Sequence, residues 1–320
     1  MKKEKNKMIK QTIKYSVSAL FFAVLFFVFL FFAEDSYDVD LFSKKPVGEV
    51  KASATENKLI RENIYESFVP PFKKTTYKDF ISNSRSLKTI DFYSNKPLYE
   101  KNADERLQIA SLTKLMTALL AYENKNTEEV VTVPVISNRT GEAVMGLKVG
   151  EKIKAGELIH GVLIHSAGDA AQTLAVNIAG SEEKFVEMMN ERAKELVLLN
   201  THFSNPVGYD EAGNYSTAND LISLTKLFLA HDYLRNAVSK QTYVAKNESG
   251  REYYLKNTNK LLDGNRVFGV KTGYTIGAGE CLISLAKEND HEILTVILGS
   301  PARFDETNKL IAWVYQNWEW

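Results

Sequence analysis

The sequence predicts an α/β (α+β) domain in which an antiparallel sheet flanked by helices lies beside an all-helical lobe, with one N-terminal transmembrane helix ahead of it. Three observations support this fold class. The last third of the chain contains four strand candidates joined by short turns, the middle third is a series of helix candidates, and a long uncharged run follows a lysine-rich start. Strands joined by short turns pair antiparallel, and a chain of 320 residues can bury a sizeable core.

The N-terminal run predicts a membrane anchor. Residues 1–14 contain six lysines, and residues 15–33 are uncharged, rich in phenylalanine and leucine, and followed by Glu34 and Asp35. This length matches the ~20 residues that span a bilayer. Lysines before the span favour a cytoplasmic basic tail at 1–14, a transmembrane anchor at 15–33 and a domain on the extracytoplasmic side of the cell membrane. A cleaved signal peptide is the alternative, but the run exceeds the usual apolar region of ~7–15 residues.

The segment at residues 34–80 predicts a juxtamembrane tether. It is polar, mixed in charge and interrupted by Pro46, Pro70 and Pro71, and it has no sustained hydrophobic period. We therefore expect the folded domain at residues 81–320.

Composition excludes several classes of protein. The chain has 40 basic and 40 acidic residues, so its charge gives no reason to expect nucleic acid as a partner. The single cysteine, Cys281, excludes an internal disulfide. Cys281 lies in an apolar run and is interpreted as a small core residue. The histidines have no metal-ligand spacing, so we predict no metal and no cofactor.

Hydrophobic periodicity predicts the elements of the domain in order. Residues 87–93 alternate between apolar and polar and, with residues 98–100, predict a hairpin. The predicted helices have apolar sides or capping residues at their starts. They cover residues 110–123, 155–165, 170–178, 181–199, 217–231 and 303–318. The other predicted strands cover residues 129–133, 251–255, 267–274, 279–286 and 293–298.

The spacing Ser-x-x-Lys at Ser111 and Lys114 is the first candidate for chemistry. On a helix this spacing places a hydroxyl and an amine on one face. A serine hydroxyl becomes a good nucleophile only when a neighbouring base activates it. Ser111 lies in the first predicted turn of its helix, where free N–H groups favour developing negative charge.

The same spacing begins at three other serines, Ser181, Ser223 and Ser284, and local structure argues against each. Ser181 is a predicted N-cap, and Ser223 lies inside a helix whose predicted N-cap is Thr217. Ser284 lies in a predicted strand, where positions three apart face opposite sides. Ser111 therefore remains the candidate nucleophile.

Two further motifs follow Ser111 in the chain. Ser166 lies at a predicted break between helices, and Lys271, Thr272 and Gly273 lie in a predicted strand. This order of motifs resembles the penicillin-recognising serine acyltransferases. The segments at 98–106, 200–203, 215–218, 257–261 and 269–275 are similar to the D-alanyl-D-alanine carboxypeptidases, which are the low-molecular-weight penicillin-binding proteins of peptidase family S11. The resemblance covers residues 85–318 and implies a β-lactamase/transpeptidase-like fold.

The resemblance implies catalytic roles for the matching residues. Ser111 resembles the acylated nucleophile and Lys114 resembles its general base. Ser166 resembles the serine that relays a proton toward the leaving group. The backbone N–H groups of Ser111 and Tyr274 would form the oxyanion hole. Burial near Lys271 predicts a lowered pKa for Lys114, as a base requires.

The resemblance also implies substrate-binding roles near the strand. Lys271 and Thr272 resemble the groups that hold the terminal carboxylate of the substrate. Gly273 would let a ligand lie close to the backbone, and Tyr274 would contribute its N–H group. Arg303, at the start of the last predicted helix, is similar in placement to the carboxylate-binding arginine of the family.

The sequence departs from the family at Gly168. The second motif of the family is Ser-x-Asn, and its asparagine hydrogen-bonds the substrate amide and the base lysine. Here Gly168 occupies the third position after Ser166 and is counted among the substrate-binding positions. Asp169 or a water could substitute, although Asp169 is equally suited to cap the following helix. We expect Gly168→Asn to raise D-alanine release.

The resemblance therefore implies a membrane-anchored, penicillin-sensitive serine carboxypeptidase that removes the terminal D-alanine from peptidoglycan stem peptides through an acyl-enzyme. β-Lactams are the expected inhibitors. The first alternative is a β-lactamase or D,D-endopeptidase on the same fold. The second is a weakly active module that binds β-lactams or the cell wall, because Gly168 replaces the asparagine.

Overall fold

The structure is a computed structural model that describes residues 70–75, 79–136 and 142–320. All of them belong to the unit of the chain that spans Arg61–Trp320. The predicted tail at 1–14 and the predicted anchor at 15–33 lie outside the described residues. Among the residues that are described, no helix has both the length and the apolar character of a membrane span.

The described part of the chain forms thirteen strands and seven α-helices. In chain order the strands are β1 (Phe72–Lys73), β2 (Ser86–Asp91), β3 (Pro97–Lys101), β4 (Leu107–Gln108), β5 (Val130–Thr132), β6 (Lys152–Lys154), β7 (Tyr215–Ser216), β8 (Thr242–Lys246), β9 (Glu252–Lys256), β10 (Val267–Thr275), β11 (Gly279–Glu288), β12 (His291–Ser300) and β13 (Trp318–Glu319). The helices are α1 (Lys114–Asn124), α2 (Ala155–Ile164), α3 (Gly168–Ala179), α4 (Glu182–Glu195), α5 (Ala218–Leu229), α6 (Asp232–Ser239) and α7 (Arg303–Asn317).

Five of these strands form the central antiparallel sheet, in the order β10-β11-β12-β2-β3. The inner strands β11 and β12 are apolar almost continuously, because helices cover both faces of the sheet. Leu282 lies opposite Ile297 in this pair. Strand β10 is at one edge, and it contacts the turn that precedes α1.

The two faces of the sheet pack against different helices. On one face α7 contacts β11 and β12, and its Leu310 and Val314 are fully buried with Leu87 and Ile297. On the other face α5 contacts β2 and β12, and α6 contacts β10. This second face continues into the helical lobe of α1–α4, and one apolar core runs through both. The predicted sheet with an adjoining helical lobe is therefore confirmed.

Most predicted elements are observed. The helix predicted at 181–199 ends at Glu195, and three other predictions also differ. The strand predicted at 251–255 is not part of the central sheet, because β9 pairs with β8 in a separate hairpin whose residues alternate between buried and exposed. The helix predicted at 217–231 ends at Leu229, since extended backbone at His231 separates it from α6. Ser111 lies in a 3-10 turn, Ala110–Thr113, ahead of α1 rather than in an α-helical turn.

Residues from the segment predicted as a tether take part in the fold. Phe72 and Lys73 form β1, which pairs antiparallel with β13 at the end of the chain. The Lys74 side chain donates a hydrogen bond to the Gln316 carbonyl at 2.9 Å. The two ends of the described chain are thus joined beside α7.

Candidate active site

A cleft of about 420 Å³ opens beside the edge strand β10. Seven of the nine predicted site residues line this cleft, namely Ser111, Lys114, Ser166, Thr272, Gly273, Tyr274 and Arg303. The other two are directly adjacent, since Lys271 contacts Ser166 and Gly168 is the first residue of α3. The structure therefore brings all the predicted site residues together from distant parts of the chain.

Ser111 and Lys114 form the pair that the spacing predicted. Nζ of Lys114 lies 3.2 Å from Oγ of Ser111 and donates a hydrogen bond to the Val207 carbonyl at 2.8 Å. The Lys114 side chain is 1% exposed. Burial lowers the pKa of Lys114 to about 8, although the carboxylates of Glu142 and Asp169 act to raise it. A neutral amine is therefore well populated near pH 8 and can accept a hydroxyl proton.

Two glycines let the backbone close around the Ser111 turn. Ala110 has a φ of 48°, so the turn bends sharply just before the serine. A Cβ on Gly208 would lie 2.0 Å from the Ala110 carbonyl oxygen. A Cβ on Gly273 would lie 2.9 Å from the Ile109 carbonyl oxygen and 3.2 Å from the Ser111 nitrogen. The serine is thus held between the loop at Gly208 and strand β10.

Ser166 and Lys271 form a second serine–lysine pair. Ser166 lies between α2 and α3 with a φ of 61°, a left-handed conformation that costs a non-glycine residue ~1–2 kcal/mol. Its Oγ accepts a hydrogen bond of 2.8 Å from Nζ of Lys271, which also donates to the Thr272 carbonyl at 3.0 Å. Burial and the positive charges of Lys114 and Arg303 lower the pKa of Lys271 well below its usual value.

Polar and cationic groups also lie along the strand side of the cleft. The hydroxyls of Thr272 and Thr258 share a hydrogen bond of 2.6 Å. Nη1 of Arg303 donates to the Gly273 carbonyl at 2.6 Å, and the Arg303 backbone N–H donates to Glu280 at 2.9 Å. A guanidinium beside a hydroxyl suits an anionic group such as a carboxylate.

The other serine–lysine spacings do not form such pairs. The Ser181 hydroxyl accepts a hydrogen bond from the Lys184 backbone and caps α4. The Ser223 hydroxyl donates to the Asn219 carbonyl inside α5. Ser284 is buried in β11 and 1% exposed. These placements confirm that Ser111 is the only one of the four in the cleft.

Several residues of the cleft were not predicted from the sequence, and two of them, Glu142 and Tyr209, contact each other. Both line it, and the Tyr209 hydroxyl donates to Oε2 of Glu142 at 2.5 Å. Neither lies in a motif, and the lack of a side chain at Gly168 was the only signal that another group was needed there. Asp169 does not fill that place, since its carboxylate accepts hydrogen bonds from the backbone of Met145 and its neighbours.

Residues 73–302 match the family described as D-alanyl-D-alanine carboxypeptidase. The chain belongs to this family. The match covers both serine–lysine pairs and strand β10, and it ends just before Arg303.

Individual members of the family and related structures agree with this assignment. The D-alanyl-D-alanine carboxypeptidase DacF of Bacillus subtilis (strain 168) is 34% identical over 245 residues, which cover 74% of this chain and 63% of that relative. The crystal structure of penicillin binding protein 6B from Escherichia coli has a TM-score of 0.69 at 30% identity, covering 77% of this chain and 81% of that chain. The ampicillin-bound form of penicillin-binding protein D2 from Listeria monocytogenes has a TM-score of 0.65 at 29% identity, covering 74% of this chain and 100% of that chain. These likenesses confirm the predicted transpeptidase-like fold.

Proposed function

We propose that this chain is a serine-type D-Ala-D-Ala carboxypeptidase, which removes the terminal D-alanine from peptidoglycan stem peptides through an acyl-enzyme at Ser111. The observation that carries the proposal is the 3.2 Å separation of Ser111 Oγ from the buried Nζ of Lys114, inside a cleft that also contains Ser166. Membership of the carboxypeptidase family supports the reaction. The ampicillin-bound Listeria relative supports β-lactams as inhibitors that acylate the same serine.

In acylation, Oγ of Ser111 attacks the carbonyl carbon of the penultimate D-alanine, and Nζ of Lys114 takes the hydroxyl proton. Lys114 must be neutral for this step, and burial favours its neutral form. The carbonyl oxygen becomes an oxyanion, which the backbone N–H groups of Ser111 and Tyr274 bind. A single donor of this kind typically contributes ~10²–10³ in turnover.

The leaving group then requires a proton, because the bond between the carbonyl carbon and the nitrogen of the terminal D-alanine breaks. Ser166 supplies it from its hydroxyl and recovers a proton from the lysine pair, Lys114 and Lys271, which holds the proton taken from Ser111. The 2.8 Å contact of Ser166 with Lys271 supports this relay. In deacylation, water adds to the ester, Ser111 leaves as the hydroxyl, and the shortened peptide departs with a new carboxylate.

The strand side of the cleft binds the terminal carboxylate of the substrate. Arg303 supplies the positive charge for this anion, and Lys271 and Thr272 supply hydrogen-bond donors. Arg303 is oriented by its bond to the Gly273 carbonyl, which supports a fixed position for the guanidinium at the end of the cleft. The same groups suit the carboxylate of a penicillin.

The anchor is proposed from the sequence. The uncharged run at 15–33, with lysines before it and acids after it, supports an uncleaved span with the domain outside the cytoplasm. The test compares the full chain with a chain that begins at Glu34. We expect only the full chain to sediment with membranes, and we expect protease added to spheroplasts to digest its domain. Recovery of both forms in the soluble fraction would contradict the anchor.

Product analysis tests the activity against its alternatives. The full chain in detergent is incubated with a stem pentapeptide, a cross-linked peptide dimer and penicillin in separate reactions. We expect release of D-alanine as the main reaction. Rapid hydrolysis of penicillin would indicate a β-lactamase, and cleavage of the dimer would indicate an endopeptidase. A stable penicillin adduct without release of D-alanine would indicate a binding module.

A further inference from the structure

Glu142 occupies the place of the side chain that Gly168 lacks. A Cβ atom on Gly168 would lie 1.4 Å from Oε1 of Glu142 and 2.1 Å from its Cδ. No side chain at position 168 can therefore coexist with Glu142 in its present position. The glycine and the glutamate form one arrangement, in which a carboxylate from another segment reaches the third position of the second motif.

The segment that carries Glu142 is tied to the start of α3. The backbone N–H of Gly168 donates to the Ala143 carbonyl at 2.8 Å. The buried carboxylate of Asp169 accepts hydrogen bonds from the backbone N–H groups of three successive residues at 2.9, 2.8 and 3.1 Å, namely Met145, Gly146 and Leu147. Asp169 therefore fixes the segment from which Glu142 extends.

The carboxylate of Glu142 is also held by a second residue of the cleft. The Tyr209 hydroxyl donates to its Oε2 at 2.5 Å. Tyr209 follows Val207, whose carbonyl accepts a hydrogen bond from Nζ of Lys114, by two positions. Glu142 thus joins the α3 start to the loop that positions Lys114.

Glu142 differs from an asparagine because it brings charge. It lines the same cleft as Lys114, and its negative charge acts to raise the pKa of that amine against the effect of burial. The other charged groups that face the two lysines are Asp169, which also raises the pKa of Lys114, and Arg303, which lowers that of Lys271. Asp210 lines the cleft as well.

We propose that Glu142 is a positioning residue that takes the place of the second-motif asparagine from a separate segment, and that its negative charge, which a carboxamide would lack, acts on the Lys114 amine. The proposal rests on the function proposed for Ser111 and Lys114. It implies that the pH profile of acylation depends on the charge of Glu142, and that a side chain at position 168 fits only when the residue at position 142 is smaller or displaced.

The first experiment tests the charge of Glu142 separately from the shape of its side chain. Glu142→Gln keeps the shape of the side chain, and Glu187→Gln, at an exposed position of α4, is the matched control. Acylation by a fluorescent penicillin is followed as a function of pH. The charge of Glu142 acts to raise the pKa of Lys114, and loss of an opposite charge near an amine typically lowers its pKa by ~1 unit or more. We therefore expect the midpoint of the acidic limb to fall by about one pH unit and acylation well below it to rise about tenfold. The control should match the wild type. An unchanged midpoint in Glu142→Gln would overturn the proposal.

A direct titration separates this proposal from the proposed function. The Lys114 amine can be followed by NMR in protein with ¹⁵N-labelled lysine, whether or not the chain reacts with penicillin. We expect the titration of Lys114 to move to lower pH in Glu142→Gln and to stay in place in Glu187→Gln. A wild type that takes no penicillin would refute the proposed function alone, whereas an unmoved lysine titration would refute the role of Glu142.

The second experiment tests the exchange of side chains with Gly168→Asn, Glu142→Ala and the double variant. The asparagine alone must push the flexible Glu142 carboxylate out of the site, so it should lower acylation by about tenfold or more. Because the two side chains are in contact, we do not expect the effects of the two substitutions to add. The double variant has room for the asparagine and should recover acylation and melting temperature toward the wild type. This replaces the expectation that Gly168→Asn alone raises D-alanine release. If the losses of acylation in the two single variants simply add in the double variant, the proposed exchange of side chains is wrong.

Discussion

Gly273 on the edge strand lies directly against Ser111. A Cβ atom on Gly273 would come within 3.2 Å of the Ser111 nitrogen and within 2.9 Å of the Ile109 carbonyl oxygen. Strand β10 can therefore approach the turn that carries the serine only because position 273 has no side chain. The glycine of the Lys-Thr-Gly motif sets the width of the site between the strand and the nucleophile.

We expect Gly273→Ala to lower the rate of acylation by penicillin by about 10²-fold, since displacement of a reacting group by ~1 Å costs this much. Gly250→Ala is the control, because Gly250 is an exposed turn residue with no atom near its Cβ position. That variant should lose some stability through its φ of 83° but retain the wild-type acylation rate. Equal acylation in Gly273→Ala and wild type would contradict the proposed geometry.

The pH dependence of acylation should report the Lys114 amine. Because only the neutral amine accepts the Ser111 proton, and burial lowers the pKa of Lys114 to about 8, the rate should rise with pH through a midpoint near 8. Stopped-flow measurement with a chromogenic β-lactam gives the profile. A rate that does not change between about pH 7 and about pH 9 would exclude Lys114 as the base.

The left-handed backbone at Ser166 is predicted to lower stability while it places the hydroxyl beside Lys271. Both Ser166→Ala and Ser166→Gly remove the hydroxyl that contacts Lys271, so both should lose most D-alanine release. Only glycine relieves the left-handed backbone at 61°, which costs other residues ~1–2 kcal/mol. We therefore expect the free energy of unfolding of Ser166→Gly to exceed that of Ser166→Ala by about 1 kcal/mol in urea titrations. A less stable glycine variant would show that the backbone is not strained.

Four site residues that sequence reasoning found, Ser111, Lys114, Ser166 and Lys271, each lie in a recognisable local pattern. Ser111 and Lys114 are three positions apart, and Lys271 lies in a run of β-forming residues, so local spacing predicts how their side chains point. Ser166 follows an apolar helix at a recognisable break. Local patterns of this kind were enough to predict the central sheet, the main helices and the pair at Ser111.

The features that the sequence did not reveal depend on contacts between segments that are far apart in the chain. Glu142 reaches Gly168 from a segment without any period, and only the folded backbone brings them together. The hairpin of β8 and β9 has the same alternating pattern as a strand of the central sheet, so the pattern could not tell which partner β9 takes. Likewise, the sequence analysis ended the helix at 231 and predicted no helix after it, whereas α6 begins at Asp232 after extended backbone at His231.

Glu306 should make stability depend on pH. Its carboxylate accepts hydrogen bonds from the hydroxyls of Ser82 and Ser300 at 2.5 and 2.7 Å and from the backbone of Asn83 at 2.7 Å. Burial would raise the pKa of Glu306, but these bonds outweigh it and lower the pKa below the usual value. The stabilisation is therefore complete above the pKa of the unfolded chain, ~4.3, and is lost as the pH falls through the lower folded value.

We expect Glu306→Gln to lower the free energy of unfolding at neutral pH by ~1–3 kcal/mol, because buried donors lose a charged acceptor. The difference from the wild type should shrink as the pH falls below the pKa of the unfolded chain, ~4.3, and through the lower folded value. Glu187→Gln, at an exposed position, serves as the control and should match the wild type at both pH values. A difference that stays constant with pH would mean that the charge of Glu306 does not contribute.

The central claim is that Ser111 is the nucleophile, and the most direct measurement is the mass of the penicillin adduct followed by peptide mapping. The full chain should gain the mass of one penicillin, located on the peptide that contains Ser111. Ser223→Ala, which removes a serine of the same spacing from α5, should be labelled as the wild type is, and Ser111→Ala should not be labelled. An adduct that persists in Ser111→Ala, or that maps to another residue, would contradict the account.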